Sequence, residues 1–252
     1  MNGTVSRRFF VGSVAAAGVG AAGAASVLDF PVSAQPVSAV PLTREIRRQL
    51  KEAFGKLREG RADGARQLAA MLRVYASTVN ESELRAALRK ANRSELLSRD
   101  VNHDEMVRQA RELGLDPARL PPHRFLSYGE REEAVAQLLR DGLGASMRAA
   151  ADLVDGVAEK IEALPREQRG AFVQAIALQP IPEPVDCGNC DAVVQGLDYA
   201  ERQMTAACAL AGLFPLPPLV AACEAAIAAW LVMLGAYGSC RAIVALCNAY
   251  YN

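Results

Sequence analysis

Residues 204–240 read MTAACALAGLFPLPPLVAACEAAIAAWLVMLGAYGSC, and this stretch decides the fold. Its only charged side chain is Glu224. All six cysteines of the chain lie in or beside it, between Cys187 and Cys247. A segment this short buries too little surface to be stable as an ordinary soluble domain. An even number of cysteines in such a segment is typical of a disulfide framework, so we predict a compact apolar helical peptide held by disulfides.

The segment Phe214–Pro218 contains three prolines and predicts a hairpin turn. Proline lacks the amide donor and clashes in a helix interior, so a helix cannot continue through this segment. We predict one helix that ends near Ala211 and a second from about Leu219 to Leu234. The glycines of Gly235–Gly238 predict another break, followed by a third helix that carries the last two cysteines.

The predicted hairpin narrows the choice of disulfide pairs. Cys208 and Cys223 lie at similar distances from the proline turn, so an antiparallel hairpin brings them together. The first two cysteines lie at the other end of the first helix, where the returning chain places the last two. We therefore predict one bridge across the turn, with the first pair of cysteines bonded to the last pair in either order. The predicted disulfide residues are Cys187, Cys190, Cys208, Cys223, Cys240 and Cys247.

Charge is distributed unevenly along a chain whose net charge is zero. Residues 40–183 carry 24 basic and 22 acidic side chains, whereas residues 184–252 carry two basic and five acidic ones. The change coincides with the proline-rich segment 180–186, which we expect to be an exposed linker suited to proteolysis. We therefore predict a helical domain over 40–179 and the cysteine-rich apolar helical peptide over 187–252. The neutral balance gives no indication of a nucleic-acid partner.

The first 34 residues have the features of an export signal. Arg7 and Arg8 precede the apolar, glycine- and alanine-rich run Val11–Leu28. Paired arginines before a weakly hydrophobic run are typical of the twin-arginine pathway, so we predict that residues 1–34 are a signal peptide recognised by that translocase. An uncleaved membrane anchor is the alternative, although the run is short and rich in glycine. Export would make the protein secreted, in a compartment where disulfides persist.

Residues 40–179 have the patterns of helices and no strand pattern, which makes the predicted fold class all-α. Asn80, Asn102 and Ser127 are each followed three positions later by glutamate, which is the pattern of a capped helix start. Gly114 predicts the end of the helix that begins near Asn102.

The longest predicted helix begins at Ser127 and runs to about Leu164, with Gly142 and Gly144 as points where it could bend or break. A further helix is predicted over 165–178. The long helix has apolar residues that alternate steps of four and three, which is typical of a narrow seam against another helix. The seam consists of Leu143, Met147, Ala150, Val154, Val157, Ile161 and Leu164.

No catalytic or metal-binding constellation is visible in the sequence, and we predict no cofactor. His103 and His123 are the only histidines, and neither has a second ligand at helical spacing. A basic cluster early in the chain could contact acidic lipid. Glutamates interleaved with the cluster favour the alternative of a solvated helix face. The cluster consists of Arg44, Arg47, Arg48 and Lys51.

The motif Cys187-Gly188-Asn189-Cys190 and the apolar run after it have other interpretations. A thiol redox site normally follows a strand in a βαβ unit, and no such pattern is visible. A zinc site needs two further ligands close by, whereas the other cysteines are single and widely spaced. A membrane-spanning hairpin is a further alternative, but Ala225–Ala236 is too short to span a bilayer and three prolines interrupt the run before it.

Three segments, Ser6–Arg8, Cys187–Cys190 and Cys208–Cys223, together resemble those of the halocin-type peptide bacteriocin precursors. The resemblance implies a twin-arginine leader, a middle segment with an immunity role and a cysteine-rich hydrophobic peptide released from the end. The chain has fewer cysteines than the haloarchaeal peptide and is less acidic. A close cysteine pair followed by two late cysteines is also similar to saposin-type lipid-binding modules.

These observations lead to a first hypothesis of a secreted precursor of a membrane-active antimicrobial peptide, which is not an enzyme. A processing protease would release the peptide near Pro184, and target-cell membrane lipid would be its partner. The alternatives are a secreted saposin-like lipid-binding protein and an exported thiol redox protein. Trp230 is the only tryptophan, and it is either a core residue or a membrane contact.

Overall fold

The structure, a computed structural model, describes residues 35–37, 40–115, 126–164 and 189–251. Within these ranges the chain forms nine α-helices and one pair of short strands, so the predicted all-α class is confirmed. The leader, the helix predicted over 165–178 and the linker 180–186 lie outside the described residues. In chain order the elements are β1 (Gln35–Val37), α1 (Arg44–Arg58), α2 (Ala62–Thr78), α3 (Glu81–Lys90), α4 (Arg93–Leu97), β2 (Arg99–Val101), α5 (His103–Glu112), α6 (Tyr128–Asp141), α7 (Leu143–Ala163), α8 (Asp191–Leu213) and α9 (Pro217–Tyr251).

The predicted helix starts are confirmed by their capping hydrogen bonds. The Asn80 side chain accepts from the Glu83 N–H at 3.2 Å, and Asn102 does the same for the Glu105 N–H at 3.3 Å. Ser127 forms a complete capping box with Glu130. Each cap satisfies amides that the first turn of a helix leaves without an intrahelical partner, which fixes where the helix begins.

The long helix predicted from Ser127 is two helices, because it breaks at Gly142. Gly142 has a φ of 78°, a left-handed conformation that glycine adopts without steric cost. At the break, the carboxylate of Glu81 accepts a hydrogen bond from the Gly144 N–H at 2.5 Å. The helix α7 begins after this break, and its predicted apolar seam is buried.

The seam of α7 packs along α2. Leu68 and Leu72 of α2 are fully buried, as is the facing side of α7. Ion pairs lie along the edges of this contact: Arg66 reaches Glu162 at 2.7 Å, and Arg73 reaches Asp155 at 2.7 Å. These exposed pairs contribute little to stability, so burial of apolar surface holds the two helices together.

The two strands are a feature that the sequence did not predict. β1 and β2 pair in parallel over three residues each, with Val37 opposite Val101. Three residues are too few to show the alternation from which strands are predicted. Next to the pair, buried Asp100 accepts from the Leu126 N–H at 3.0 Å and faces Arg131 at 3.7 Å. This buried ion pair links β2 to the start of α6.

The last two helices form an antiparallel hairpin (the hairpin: α8, α9 and the turn between them). The turn lies at the predicted prolines, but the predicted break at Gly235–Gly238 is wrong, since α9 is one continuous helix of 35 residues. The hairpin contacts α1–α4, α6 and α7, which we call the cover helices. Residues 32–252 form one compact unit.

Candidate functional site: a disulfide-stapled apolar hairpin

Two disulfides hold the hairpin at its two ends. Cys208 and Cys223 form the predicted bridge beside the turn, with their Cα atoms 4.6 Å apart. Cys190 is bonded to Cys240, one of its two predicted partners, at a Cα distance of 6.0 Å. No described cysteine is free. Cys187 and the side chain of Cys247 lie outside the described residues, so their predicted pairing stays a prediction.

The bridges fix the register of the two helices. Eighteen residues separate the bridged cysteines on α8 and seventeen separate those on α9. Because both segments are helical and almost equal in length, they run side by side between the bridges. By this register Trp230 of α9 falls opposite the part of α8 near Arg202, the last charged residue of that helix.

Helix α9 is the apolar centre of the described chain. Ile227, Leu231 and Met233 have no exposed surface. By length and composition, the segment Pro217–Leu246 is the one described helix that could cross a membrane, and most of it is buried inside the protein. The prediction that the apolar helix is too short to span a membrane is therefore wrong, because α9 does not end at Gly235.

Gly235 allows close contact between the hairpin and the cover helices. A Cβ atom at this position would lie 2.2 Å from Cε1 of Phe54 on α1. The aromatic ring therefore occupies the space that any other residue would fill. Within an unbroken apolar run, a glycine of this kind marks a contact and not a helix end, since glycine inside a helix costs only about 1 kcal/mol. The glycine is evident from the sequence, whereas its contact with Phe54 is evident only from the tertiary structure.

The only charged residue between Met204 and Cys240 is bonded to a cover helix. Glu224 accepts a hydrogen bond from the backbone N–H of Thr43, which is the N-cap residue of α1. A helix N-terminus favours a carboxylate, because its amides are unpaired and its dipole is positive there. The sequence marked Glu224 as isolated, and only the tertiary structure supplies its partner.

Polar contacts attach the charged half of α8 to α6. The Tyr199 hydroxyl donates to Asp141 at 3.1 Å. Arg202 lies 2.8 Å from Glu133 and 3.0 Å from Asp198 on its own helix. The hairpin is therefore held by apolar contacts along α9 and by a line of polar contacts along α8.

Two tyrosines at these contacts have raised pKa values. Burial, the hydrogen bond to Asp141 and the charge of that carboxylate raise the pKa of Tyr199 to about 12. Burial, followed by the charges of Glu224 and Glu45, raises the pKa of Tyr75 to about 12. Both phenols are therefore held neutral where the hairpin meets the cover helices.

We expect alkali to destabilise the protein between about pH 10 and pH 12. The folded-state pKa of each phenol lies above its unfolded value, so the stability it contributes is complete below the unfolded pKa. That contribution is lost as the pH rises through the folded pKa. Urea denaturation at stepped pH should show the fall in the free energy of unfolding. The double variant Tyr75→Phe/Tyr199→Phe should show a smaller fall. The control Tyr128→Phe, at an exposed tyrosine, should show the same fall as the unaltered chain. An unaltered slope in the double variant would contradict the assignment of the fall to these two phenols.

Trp230 is buried in this chain, with 4% of its surface exposed. Its indole N–H has no hydrogen-bond partner in the described part of the chain. Trp230 was predicted as either a core residue or a membrane contact, and in this state it is a core residue. Contact with lipid would require the hairpin to leave the cover helices.

The other residues considered in the sequence form no site within the described ranges or lie outside them. No group of three or more histidine, cysteine, aspartate or glutamate side chains there could hold a metal ion. His103 begins α5, and His123, Arg7 and Arg8 lie outside the described residues. The bond from Cys190 to Cys240 differs from the Cys187–Cys190 bond that a redox motif would form.

Comparison with family models, curated proteins and solved structures gives no match to this chain. The resemblance to halocin-type precursors therefore rests on the residues quoted above.

Proposed function

We propose that the chain is the secreted precursor of a disulfide-stapled, membrane-active antimicrobial peptide. The peptide corresponds to residues 187–252, and the cover helices bury it until a protease cuts near Pro184. The observation that carries this proposal is the burial of the most apolar helix, α9, beneath helices that carry most of the charge of the chain.

The covalent structure supports release as an intact unit. Both described disulfides join residues that follow the linker, so a cut within residues 180–186 breaks neither bridge. The bridges would keep α8 and α9 paired after release, because each one restricts the unfolded chain. The contacts that remain with the cover helices are apolar packing and a few polar bonds.

The disulfides and the leader support export. Disulfides persist outside the cytoplasm and are rare inside it, so the two bridges indicate an oxidising environment. Paired Arg7 and Arg8 before an apolar run supply the route to such an environment.

The composition of the hairpin favours lipid as its target. Once uncovered, α9 presents apolar residues on all sides, and removing this surface from water into a bilayer is favourable at about 25 cal/mol per Å². Residues 184–252 carry a net negative charge, so apolar burial would have to drive insertion without simple attraction to anionic lipid. Trp230 would then move from the protein core into lipid.

A protease-dependent leakage assay tests the proposal. A recognition sequence for a site-specific protease is placed within residues 180–186 of the full chain. We expect the uncut chain to leave dye-loaded lipid vesicles sealed, because α9 is covered. The cut chain should release dye and show a blue-shifted Trp230 emission on contact with lipid.

One control and one contrary result define the outcome of the leakage assay. The cut chain treated with reductant should lose activity, because α8 and α9 separate. The proposal would be refuted if the cut chain still elutes as one unit and the vesicles stay sealed in its presence.

A second candidate is a secreted lipid-binding protein of saposin type that stays whole. The observation that favours it is the single compact unit formed by residues 32–252. Mass spectrometry of the culture supernatant separates the two candidates. A mass that corresponds to residues from about 184 to 252 indicates the precursor, and only a mass that retains residues 40–252 indicates the lipid-binding protein.

A further inference from the structure

The turn of the hairpin is an exposed apolar surface in the covered state (the tip: Phe214–Pro218). Leu216 is 48% exposed, and few other large apolar side chains are exposed on the described surface. Pro215 and Pro217 are also exposed, and Phe214 is partly exposed. No charged residue lies between Arg202 and Glu224, so the tip has no charge of its own.

The tip is held in one conformation before it binds anything. The Cys208–Cys223 bridge closes the hairpin directly behind it. The carbonyl oxygen of Leu216 accepts from the Leu219 N–H at 2.9 Å and from the Val220 N–H at 3.0 Å. Prolines restrict the remaining backbone. A rigid apolar surface loses little conformational entropy on binding.

Two arginines lie on elements that contact the hairpin near the tip. Arg99 donates to the carbonyl of Gly212 at 3.4 Å and is paired with Glu95 at 3.2 Å. The bond from Thr43 to Glu224 places the start of α1 about 10 Å along α9 from Pro217. Arg44 is the first residue of α1 and is exposed.

The basic cluster predicted from the sequence thus begins about 10 Å from the tip along α9, and not all of it is paired with glutamates. Arg47 pairs with Glu112, and Arg48 pairs with Glu45. The exposed side chain of Arg44 has no such ion pair among the described residues. A cation at this distance from an uncharged apolar surface matches a lipid headgroup above acyl chains.

We propose that the tip, together with Arg44, is the site by which the uncut chain docks on an anionic lipid bilayer. The proposal goes beyond release of the peptide, because the tip is exposed before any cleavage. Docking delivers the covered hairpin to a membrane surface and leaves α9 buried. Prolines and apolar side chains offer few hydrogen-bond donors, which favours acyl chains over a polar protein partner.

Flotation of the full uncut chain with vesicles tests the docking site. The vesicles consist of phosphatidylcholine alone or of phosphatidylcholine with phosphatidylglycerol. We expect binding to both, tighter with phosphatidylglycerol. Leu216→Glu should weaken binding about tenfold or more, because a leucine side chain is no longer buried in lipid. Val194→Glu is the matched control, since Val194 is 43% exposed on α8; it should bind as the unaltered chain does.

Arg44→Gln tests the electrostatic part. It should reduce the preference for phosphatidylglycerol vesicles about fivefold and leave binding to phosphatidylcholine unchanged. Equal binding by Leu216→Glu and the unaltered chain would overturn the proposal, as would equal losses in Leu216→Glu and Val194→Glu. A dimer in size-exclusion chromatography that Leu216→Glu dissociates, without vesicle binding, would overturn it too and identify a second copy as the occupant. Leakage by the cut chain without binding of the uncut chain would overturn docking and leave the proposed function standing.

Discussion

Replacing Cys208 and Cys223 together by alanine is expected to lower the free energy of unfolding by about 3 kcal/mol. The bridge closes a loop of 15 residues, and its loss allows the unfolded chain many more conformations. Urea denaturation of the variant and the unaltered chain, both without reductant, measures the difference. A loss below about 1 kcal/mol would show that packing against the cover helices holds the turn without the bridge.

The pair Cys190→Ala/Cys240→Ala is the comparison. This bridge joins residues 50 apart, so its removal should cost more than about 3 kcal/mol if it alone closes the open end of the hairpin. A smaller loss would show that Cys187 and Cys247 close the same end. The measurement therefore also tests the pairing predicted for the two cysteines that the structure leaves undescribed. Alkylation of the native chain should find no free thiol if Cys187 and Cys247 are paired, and two free thiols if they are not.

Phe54→Ala is expected to lower the free energy of unfolding by about 3–5 kcal/mol, because it removes a buried aromatic ring and leaves a cavity. Gly235→Ala should cost about 1–3 kcal/mol, since its Cβ would lie 2.2 Å from that ring. The double variant should cost less than the two single variants together, because the new methyl group enters the space that the ring leaves. Urea denaturation of the three variants measures this coupling.

Gly238→Ala is the matched control for the glycine variant. It lies about one helical turn further along α9, and no atom lies within 4 Å of the position of its Cβ. Alanine there should stabilise the helix by about 0.5–1 kcal/mol. Opposite effects at the two glycines would show that the cover helices decide the role of Gly235. Destabilisation of equal size at both would contradict the contact with Phe54.

The two sets of variants report on different properties of the hairpin. The cysteine variants test how the hairpin is held together, which is what must survive cleavage. The Phe54 and Gly235 variants test how it is held to the rest of the chain, which is what cleavage must overcome. A precursor needs a stable hairpin with a surface that can be uncovered, whereas a protein that stays whole needs both contacts to persist.

Local sequence patterns determined most of the helices and their ends. Asn80, Asn102 and Ser127 begin helices because their side chains bond to amides only three residues away. The prolines of the tip turn the chain because they cannot donate a helical hydrogen bond, and the pairing of Cys208 with Cys223 follows from that turn. The apolar run from Met204 to Cys240 likewise made the hairpin recognisable from composition alone.

The tertiary structure decided what depends on residues distant in the chain. Gly235 lies at a helix contact and not at a helix break, because Phe54, 181 positions earlier in the chain, packs against it. Glu224 gains a helix N-terminus as partner, and β1 pairs with β2, through neighbours that no local pattern contains. Trp230 lies in the core because the cover helices pack over α9. Helix propensity and capping act over a few residues, whereas burial depends on which distant surfaces meet. The sequence by itself therefore determined the helices, and the tertiary structure determined what covers them.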